Sequence, residues 1–328
     1  MSILDVARPF AVPDNRLAWV NLGISLLFYF GAIVLGTIYW GNWLVLAVSV
    51  VFFTSGTIRL FGAQHDCGHY AHFTNRTVCE VVGVLMGAFT AHPFYAMKYN
   101  HNRHHAEIGN LDERDAHEVL TWTVREYQDA GFWGKLYYRI YRSPVVIYFI
   151  GPVFMFYIRY RIPKNVTKTG WFDVVAQNTL MFSLWYGVYA IGGPTAFTVY
   201  MICNLFAACF GTFMVFAGHN FEEAYWEHET ECDVREASLQ GSSVLDFGNW
   251  FHFLTYNFAF HDLHHYYVKI PAYHLKSCHE ALKDQLQPTR MGWAEAFACI
   301  RWKLWDEDTK RMVRFSDLRQ PALLHPAE

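Results

Sequence analysis

Residues 43–69 read WLVLAVSVVFFTSGTIRLFGAQHDCGH, and this stretch decides the fold. Positions 43–61 are apolar apart from a few hydroxyls, one glycine and Arg59, close to the ~20 residues a helix needs to cross a bilayer at about 1.5 Å per residue. Just beyond, His65 and His69 stand four residues apart, so a continuing helix turns both imidazoles to one face. A membrane span therefore ends in a pair of side chains with metal-ligand spacing.

Working outward, residues 17–40, 172–191 and 195–217 are apolar runs of similar length. Gly41-Asn42 joins the first two spans and Gly192-Gly193-Pro194 the last two, both turn-forming and too short to hold a soluble domain. The expected fold is an all-α membrane protein: four transmembrane helices in two hairpins, with a helical cap over 62–171 and 218–305 and a tail over 306–328 whose end, PALLHPAE, reads as loose. Nearly all Lys and Arg lie in the N-terminus, the central loop and the last third, which places the cap and both termini in the cytoplasm, under a bacterial inner membrane. The shorter apolar runs 78–91 and 145–160 are expected as interfacial or re-entrant helices, the second having Gly151-Pro152 at its middle. The alanine-rich stretch 294–304 reads as a surface helix. One domain over 1–328 is the simplest division, and there is no internal repeat.

Composition agrees with lipid as part of the solvent: 53% of the 328 residues are hydrophobic and only 17% are charged, against about 25% charged in soluble domains. A formal net charge of −3 with no long basic run gives no reason to expect nucleic acid as a partner. The seven cysteines form an odd set without a CxxC pair, arguing against a disulfide framework and a zinc knuckle. The first twenty residues carry neither a basic n-region nor a small-residue cleavage site, so the first span is expected to be retained.

The compositional oddity is seventeen histidines. They gather in HDCGH (His65, His69), HNRHH (His101, His104, His105) and HDLHH (His261, His264, His265), with His219 alone after the last span. By chance the HxxHH pattern should arise about 0.05 times in such a chain, and it arises twice. All four elements reach one face if there are four spans. Nine imidazoles are too many for one tetrahedral ion and suit two metals with four or five ligands each. Imidazole accepts zinc, copper, nickel and iron alike, but zinc cannot change oxidation state, so iron fits a site that reduces O2 beside lipid. Metal-bound histidines pass their other ring N–H to a carboxylate or carbonyl, which points to Asp66 and Asp262, and to Glu222 and Glu223 after His219, as orienting groups. Asn257 lies four residues before His261 and is expected on its helical face. His72, His92, His117, His228, His252, His274, His279 and His325 are not expected to be ligands.

The boxes, their order and their placement resemble the membrane fatty acid desaturases, in particular the bacterial and plastid acyl-lipid group of the omega-6 (delta-12) type. The flanks HNRHHAEIGNLDERDAHEVLTWTVREY, YRIYRSPVVIYFIGPVFMFYIRYRIP and GSSVLDFGNWFHFLTYNFAFHDLHHYYVKIPAYHLKSCHE carry the likeness, which covers roughly residues 50 to 285. The resemblance implies two iron ions on His65, His69, His101, His104, His105, His219, His261, His264 and His265. It further implies O2 as cosubstrate, a cis double bond made in a lipid-linked acyl chain, and Asn257 as the asparagine before the third box. Relatives often have a further histidine second in the third box, and a smaller residue at Tyr256. No HPGG haem signature appears, so electrons must come from a separate donor of ferredoxin or cytochrome b5 type. The alternatives are a lipid hydroxylase or ketolase on the same scaffold, and a zinc-binding membrane protein.

Overall fold

The computed structural model describes residues 2–114 and 119–319. His117, His325 and residues 320–328 of the expected tail lie outside the described residues. Among those described, three helices are long and apolar enough to cross a membrane.

Helix α1 (Asn15–Ile38) is capped by the Asp14 carboxylate, which accepts from the Arg16 and Leu17 amides. Helix α2 (Trp43–Gly68) is capped in the same way by Asn42, which accepts from Leu44 and Val45. Side-chain caps of this kind satisfy amides that no helical carbonyl can reach. Gly41, at φ 97°, makes the tight turn between them. The two helices touch through small residues: a Cβ on Gly56 would sit 2.7 Å from the Tyr29 backbone nitrogen and 3.0 Å from the Ser25 carbonyl. Close backbone approach is how membrane helices gain packing where lipid competes for apolar contact. α2 runs on to Gly68, seven residues past the expected end of its span, and carries His65 on its last turns.

Helix α3 (Arg76–Thr90) meets α4 (Phe94–Ala106) at a 97° bend, with Ala91 at φ 56° between them. The apolar run 78–91 is thus a helix that does not continue straight. Phe132–Tyr141 and Val146–Arg161 form a second bent pair, at 55°.

Helix α5 (Trp171–His219) spans 49 residues, about 73 Å if straight, but Gly193 leaves helical geometry at φ 72°, ψ −170°. Trp185 and Tyr200 would lie about 22 Å apart along a straight axis, yet their ring centroids are 6.5 Å apart, and those of Tyr189 and Phe197 are 6.2 Å apart. The chain therefore folds back at Gly193-Pro194, giving two arms as the turn sequence predicts. Pro93 offers no side-chain cap to α4; Asp173, on the first turn of α5, accepts from the Ala96 amide at 2.9 Å instead.

The remaining elements are short and lie outside the three long apolar helices. Helices α6 (His261–Tyr266) and α7 (Ala272–Ala281) carry and support the third histidine cluster. β1 (Trp122–Thr123) pairs in parallel with β4 (Leu304–Asp306), which pairs antiparallel with β5 (Arg311–Val313), while β2 (Val244–Leu245) pairs with β3 (Arg290–Met291). These strands correct two expectations. The helix expected over 294–304 ends early: Trp293–Ala298 is α-helical, Cys299–Arg301 is 3-10, and Trp302 turns extended into β4. The tail expected from residue 306 begins inside packed structure, because Met312 and Val313 are buried in β5.

Candidate metal centre

Arg59 explains how the third cluster is anchored. It is buried in α2 and donates to Asn21 Oδ1, Ser25 Oγ and the Phe253 carbonyl, with Phe253 and Tyr256 each 5.0 Å from its guanidinium carbon. Ser55 Oγ donates to the Leu254 carbonyl at 2.7 Å. A charge in the middle of an apolar helix thus binds the segment leading into the HDLHH box. Tyr256 and Asn257 follow in left-handed conformation, at φ 59° and 57°, and α6 starts only at His261. The expectation for Asn257 is therefore corrected: it shares no helical face with His261, and its amide donates to the Ala272 carbonyl at 2.9 Å, tying the loop to α7.

The four elements bring all nine histidines together. His65 and the C-cap residue His69 come from α2, His101, His104 and His105 from α4, His219 from the end of α5, and His261, His264 and His265 from α6. Their nitrogens sort into two sets. In one, Nε2 of His101 lies 2.7 Å from that of His65 and 2.8 Å from that of His105, which lies 3.0 Å from that of His264. His69 completes this group of five, whose ligand atoms lie within 4.8 Å of one another. In the other, His219 Nε2 lies 3.3 Å from that of His104 and 2.8 Å from that of His261, and His261 and His265 are 3.1 Å apart. Neighbouring imidazole nitrogens bound to one first-row metal at about 2.1 Å lie about 3.0 to 3.4 Å from each other, depending on coordination number. The observed spacings, 2.7 to 3.3 Å, run from a few tenths of an ångström short of that range to its upper part.

Orienting groups decide what these nitrogens offer. His65 Nδ1 faces Asp66 Oδ1 at 3.1 Å, and His219 Nδ1 faces the Gly241 carbonyl at 3.0 Å. Both partners accept, so the ring protons sit at Nδ1 and each Nε2 presents a lone pair to its set. Asp66 is held in turn by the Ala272 amide on its other oxygen, at 2.7 Å. Burial and the surrounding imidazoles hold His261, His264 and His265 well below the usual histidine range, in the neutral form a metal requires. His69 Nε2 is buried without a hydrogen-bond partner. Such an orphan is costly unless something outside the protein meets it. An all-nitrogen donor group of five (His65, His69, His101, His105, His264) and another of three (His104, His219, His265), with His261 touching the second through His219 and His265, thus fit two transition-metal ions.

Other expectations fare differently. Asp262 is buried and faces His279, 3.6 Å from its Nε2, instead of a clustered histidine. Glu222 faces Arg311 at 4.0 Å, and Glu223 is exposed. His72 Nδ1 stands 3.8 Å from Asp66, His92 stacks on Tyr160 at 3.9 Å, and His252 stacks on Phe260 at 4.5 Å, so none of the three joins either set. Three contacts escape sequence reasoning: the Gly241 carbonyl, Lys269, which donates to the His69 carbonyl at 2.6 Å, and Phe258, whose ring lies 5.0 Å from His65 and 5.6 Å from His261. A backbone oxygen and a ring brought in by a loop leave no pattern in the chain.

Beside the first set opens a cavity of about 340 Å³, lined by His101 and mostly by apolar side chains including Phe61, Phe89, Phe156, Met214 and Phe258.

Residues 40–297 match a family model described as fatty acid desaturase. The chain is 27% identical to a "Fatty acid desaturase" of Bacillus subtilis, over 97% of this chain and 91% of the relative. It is 25% identical to an "sn-1 oleoyl-lipid 12-desaturase" of Synechocystis sp., over 83% and 77%. A chloroplastic "Omega-6 fatty acid desaturase" of Glycine max is 22% identical, over 87% and 68%.

Proposed function

This chain belongs to the fatty acid desaturase family, and from that premise we propose that it introduces a cis double bond into a lipid-linked fatty acyl chain at a histidine-held di-iron centre. The observation that carries the reading is the convergence of nine imidazoles, eight of them in two donor sets and His261 in contact with the second, beside an apolar cavity.

His65, His69, His101, His105 and His264 would hold one iron, and His104, His219, His261 and His265 the other. Bound there, the irons supply the reduction of O2 and the removal of two hydrogens from neighbouring methylenes. Per turnover, one acyl –CH2–CH2– unit, O2, two electrons and two protons give –CH=CH– and two waters. A separate one-electron donor of ferredoxin or cytochrome b5 type provides the electrons.

The protein's own part is positioning. The cavity holds the acyl chain in apolar surroundings with His101 in its wall, so one pair among many alike methylenes faces the metals. Asp66 and the Gly241 carbonyl keep the His65 and His219 rings turned inward. Four membrane crossings, the two arms of α5 counted separately, leave α4 and α6 on one side with the ends of α2 and α5. That side is the cytoplasm, by the excess of Lys and Arg in the cap.

The test is lipid profiling of a host expressing the wild type beside His264→Ala. The wild type should add a new unsaturated acyl species and the variant none. A new product that persists in the variant refutes the assignment, and mono-oxygenated lipid without a new double bond replaces desaturation by hydroxylation or ketone formation.

A further inference from the structure

His92 belongs to neither donor set, yet its backbone is fastened to the residue beside one of their members. It follows Ala91, at φ 56°, in the bend between α3 and α4. Gln64, next to His65 on α2, donates to the His92 carbonyl at 2.9 Å and accepts from the Thr90 hydroxyl at 2.7 Å, while Arg161 donates to the Ala91 carbonyl at 2.5 Å. A left-handed alanine is strained and persists only where its surroundings over-determine it. The position of His92 is therefore fixed.

Its ring lines the apolar cavity. The imidazole stacks on Tyr160 with centroids 3.9 Å apart and on Phe61 at 5.8 Å, and Phe61 is in turn 6.1 Å from the His65 ring. With rings stacked against it, the imidazole meets the cavity by its edge. Among the described residues neither ring nitrogen has a hydrogen-bond partner, and Nδ1 is the one that is buried. Burial and the nearby Arg161 push the ring down to about 3, so it is neutral and carries a single N–H. A proton on Nδ1 would be a buried donor without an acceptor, the costlier arrangement, so the proton sits on Nε2. The cavity thus has one neutral donor in a mostly carbon wall.

The depth of the cavity is lined from within the spans by Thr57, Ala207 and Gly211, and a Cβ on Gly211 would meet nothing within 4 Å. His92 lies outside those spans, in the bend. A neutral donor does not select a charge. Its match is the one uncharged acceptor that every esterified acyl chain carries, the carbonyl oxygen at its head.

We propose that His92 donates from Nε2 to the acyl carbonyl oxygen and so sets which pair of methylenes faces the donor sets, because a fixed contact at one end of the chain fixes its register along the cavity. This rests on the desaturase reading and adds the residue that counts carbons from the carbonyl. Oxygen esters and thioesters present the same acceptor, and the test separates them.

Binding decides the contact without turnover. Purified protein in neutral detergent is titrated with methyl oleate and with oleyl methyl ether, the same chain with CH2 in place of the carbonyl, and occupancy is read by native mass spectrometry. The wild type should hold the ester about fivefold tighter, the scale of one neutral hydrogen bond. His92→Phe keeps a stacked ring and removes the donor, and should bind the two alike; thermal melts verify that it is folded. The methyl thioester and its thioether form a second pair, and the pair with the larger contrast names the linkage. In the expressing host, His92→Phe should turn one double-bond position into a mixture. Equal binding of ester and ether, and of thioester and thioether, by the wild type, or a preference that survives in His92→Phe, overturns the contact. A single unchanged position in the variant overturns the register role. If the binding contrast appears as expected but the wild type makes no new double bond, the desaturase reading fails while the carbonyl contact stands.

Discussion

Asp66 shows how much one side chain governs. One oxygen faces the His65 ring nitrogen and the other accepts the Ala272 amide, so a single carboxylate sets the tautomer of a clustered histidine and fastens α7 to α2. Asp66→Asn keeps an acceptor but removes the charge. Metal affinity should fall about 10- to 100-fold, as expected when such a partner is lost, and competition with a calibrated chelator measures it; unchanged affinity contradicts the role. The cap histidines predict a pH dependence of definite sign. Because His261, His264 and His265 are held neutral by burial, the native chain binds fewer protons than the unfolded one once pH drops below the ordinary histidine value of about 6.5. Stability should therefore fall between pH 6.5 and more acid values and be insensitive to these groups above that range. Melting temperatures that stay level or rise from pH 7.5 to 5.5 count against it. At this scale the HxxHH and HxxxH spacings made eight of the nine imidazoles legible in the chain, and His219 was legible by its place after the last span. They could not reveal that Asn257 sits in a left-handed turn, since no local residue pattern at 255–258 demands one.

At the scale of elements, apolar length was the readable signal, and the departures arise where partners are distant in sequence. The hairpin at Gly192-Gly193-Pro194 follows from its turn residues, whereas the prolongation of α2 to Gly68 depends on burial against the cap, which hydropathy does not report. The strands escaped notice because each has two or three residues and β1 finds its partner 182 residues on, Trp122 opposite Leu304. The α1–α2 hairpin offers the clearest mutational contrast. Gly56→Leu must displace the Tyr29 backbone 2.7 Å from its Cβ, while Gly23→Leu meets nothing within 4 Å. The first should cost about 1–3 kcal/mol, as overpacking does, seen as a lowered melting temperature in detergent, and the second should cost little. Equal melting of the two variants would mean that the helices do not pack as described.

For the molecule as a whole, the cap and the helices are one device. A charge buried in α2, Arg59, holds the segment before the third box, Asp173 on α5 caps the helix of the second, and the ends of α2 and α5 supply the rest. Each link crosses between elements far apart in the chain, so the sequence could show that the clusters meet but not what makes them meet. Convergence also explains why the donors sort into two sets, five and three with His261 beside the second: α4 supplies its His101 and His105 to one set and His104 to the other, and α6 supplies His264 to the first and His265 to the second. The central claim is that these sets hold two irons, and iron stoichiometry tests it most directly. Protein purified from iron-replete cells should carry two irons per chain, with His69→Ala and His219→Ala each lowering that content. Two zinc ions in the wild type, or a full iron complement in both variants, would contradict it.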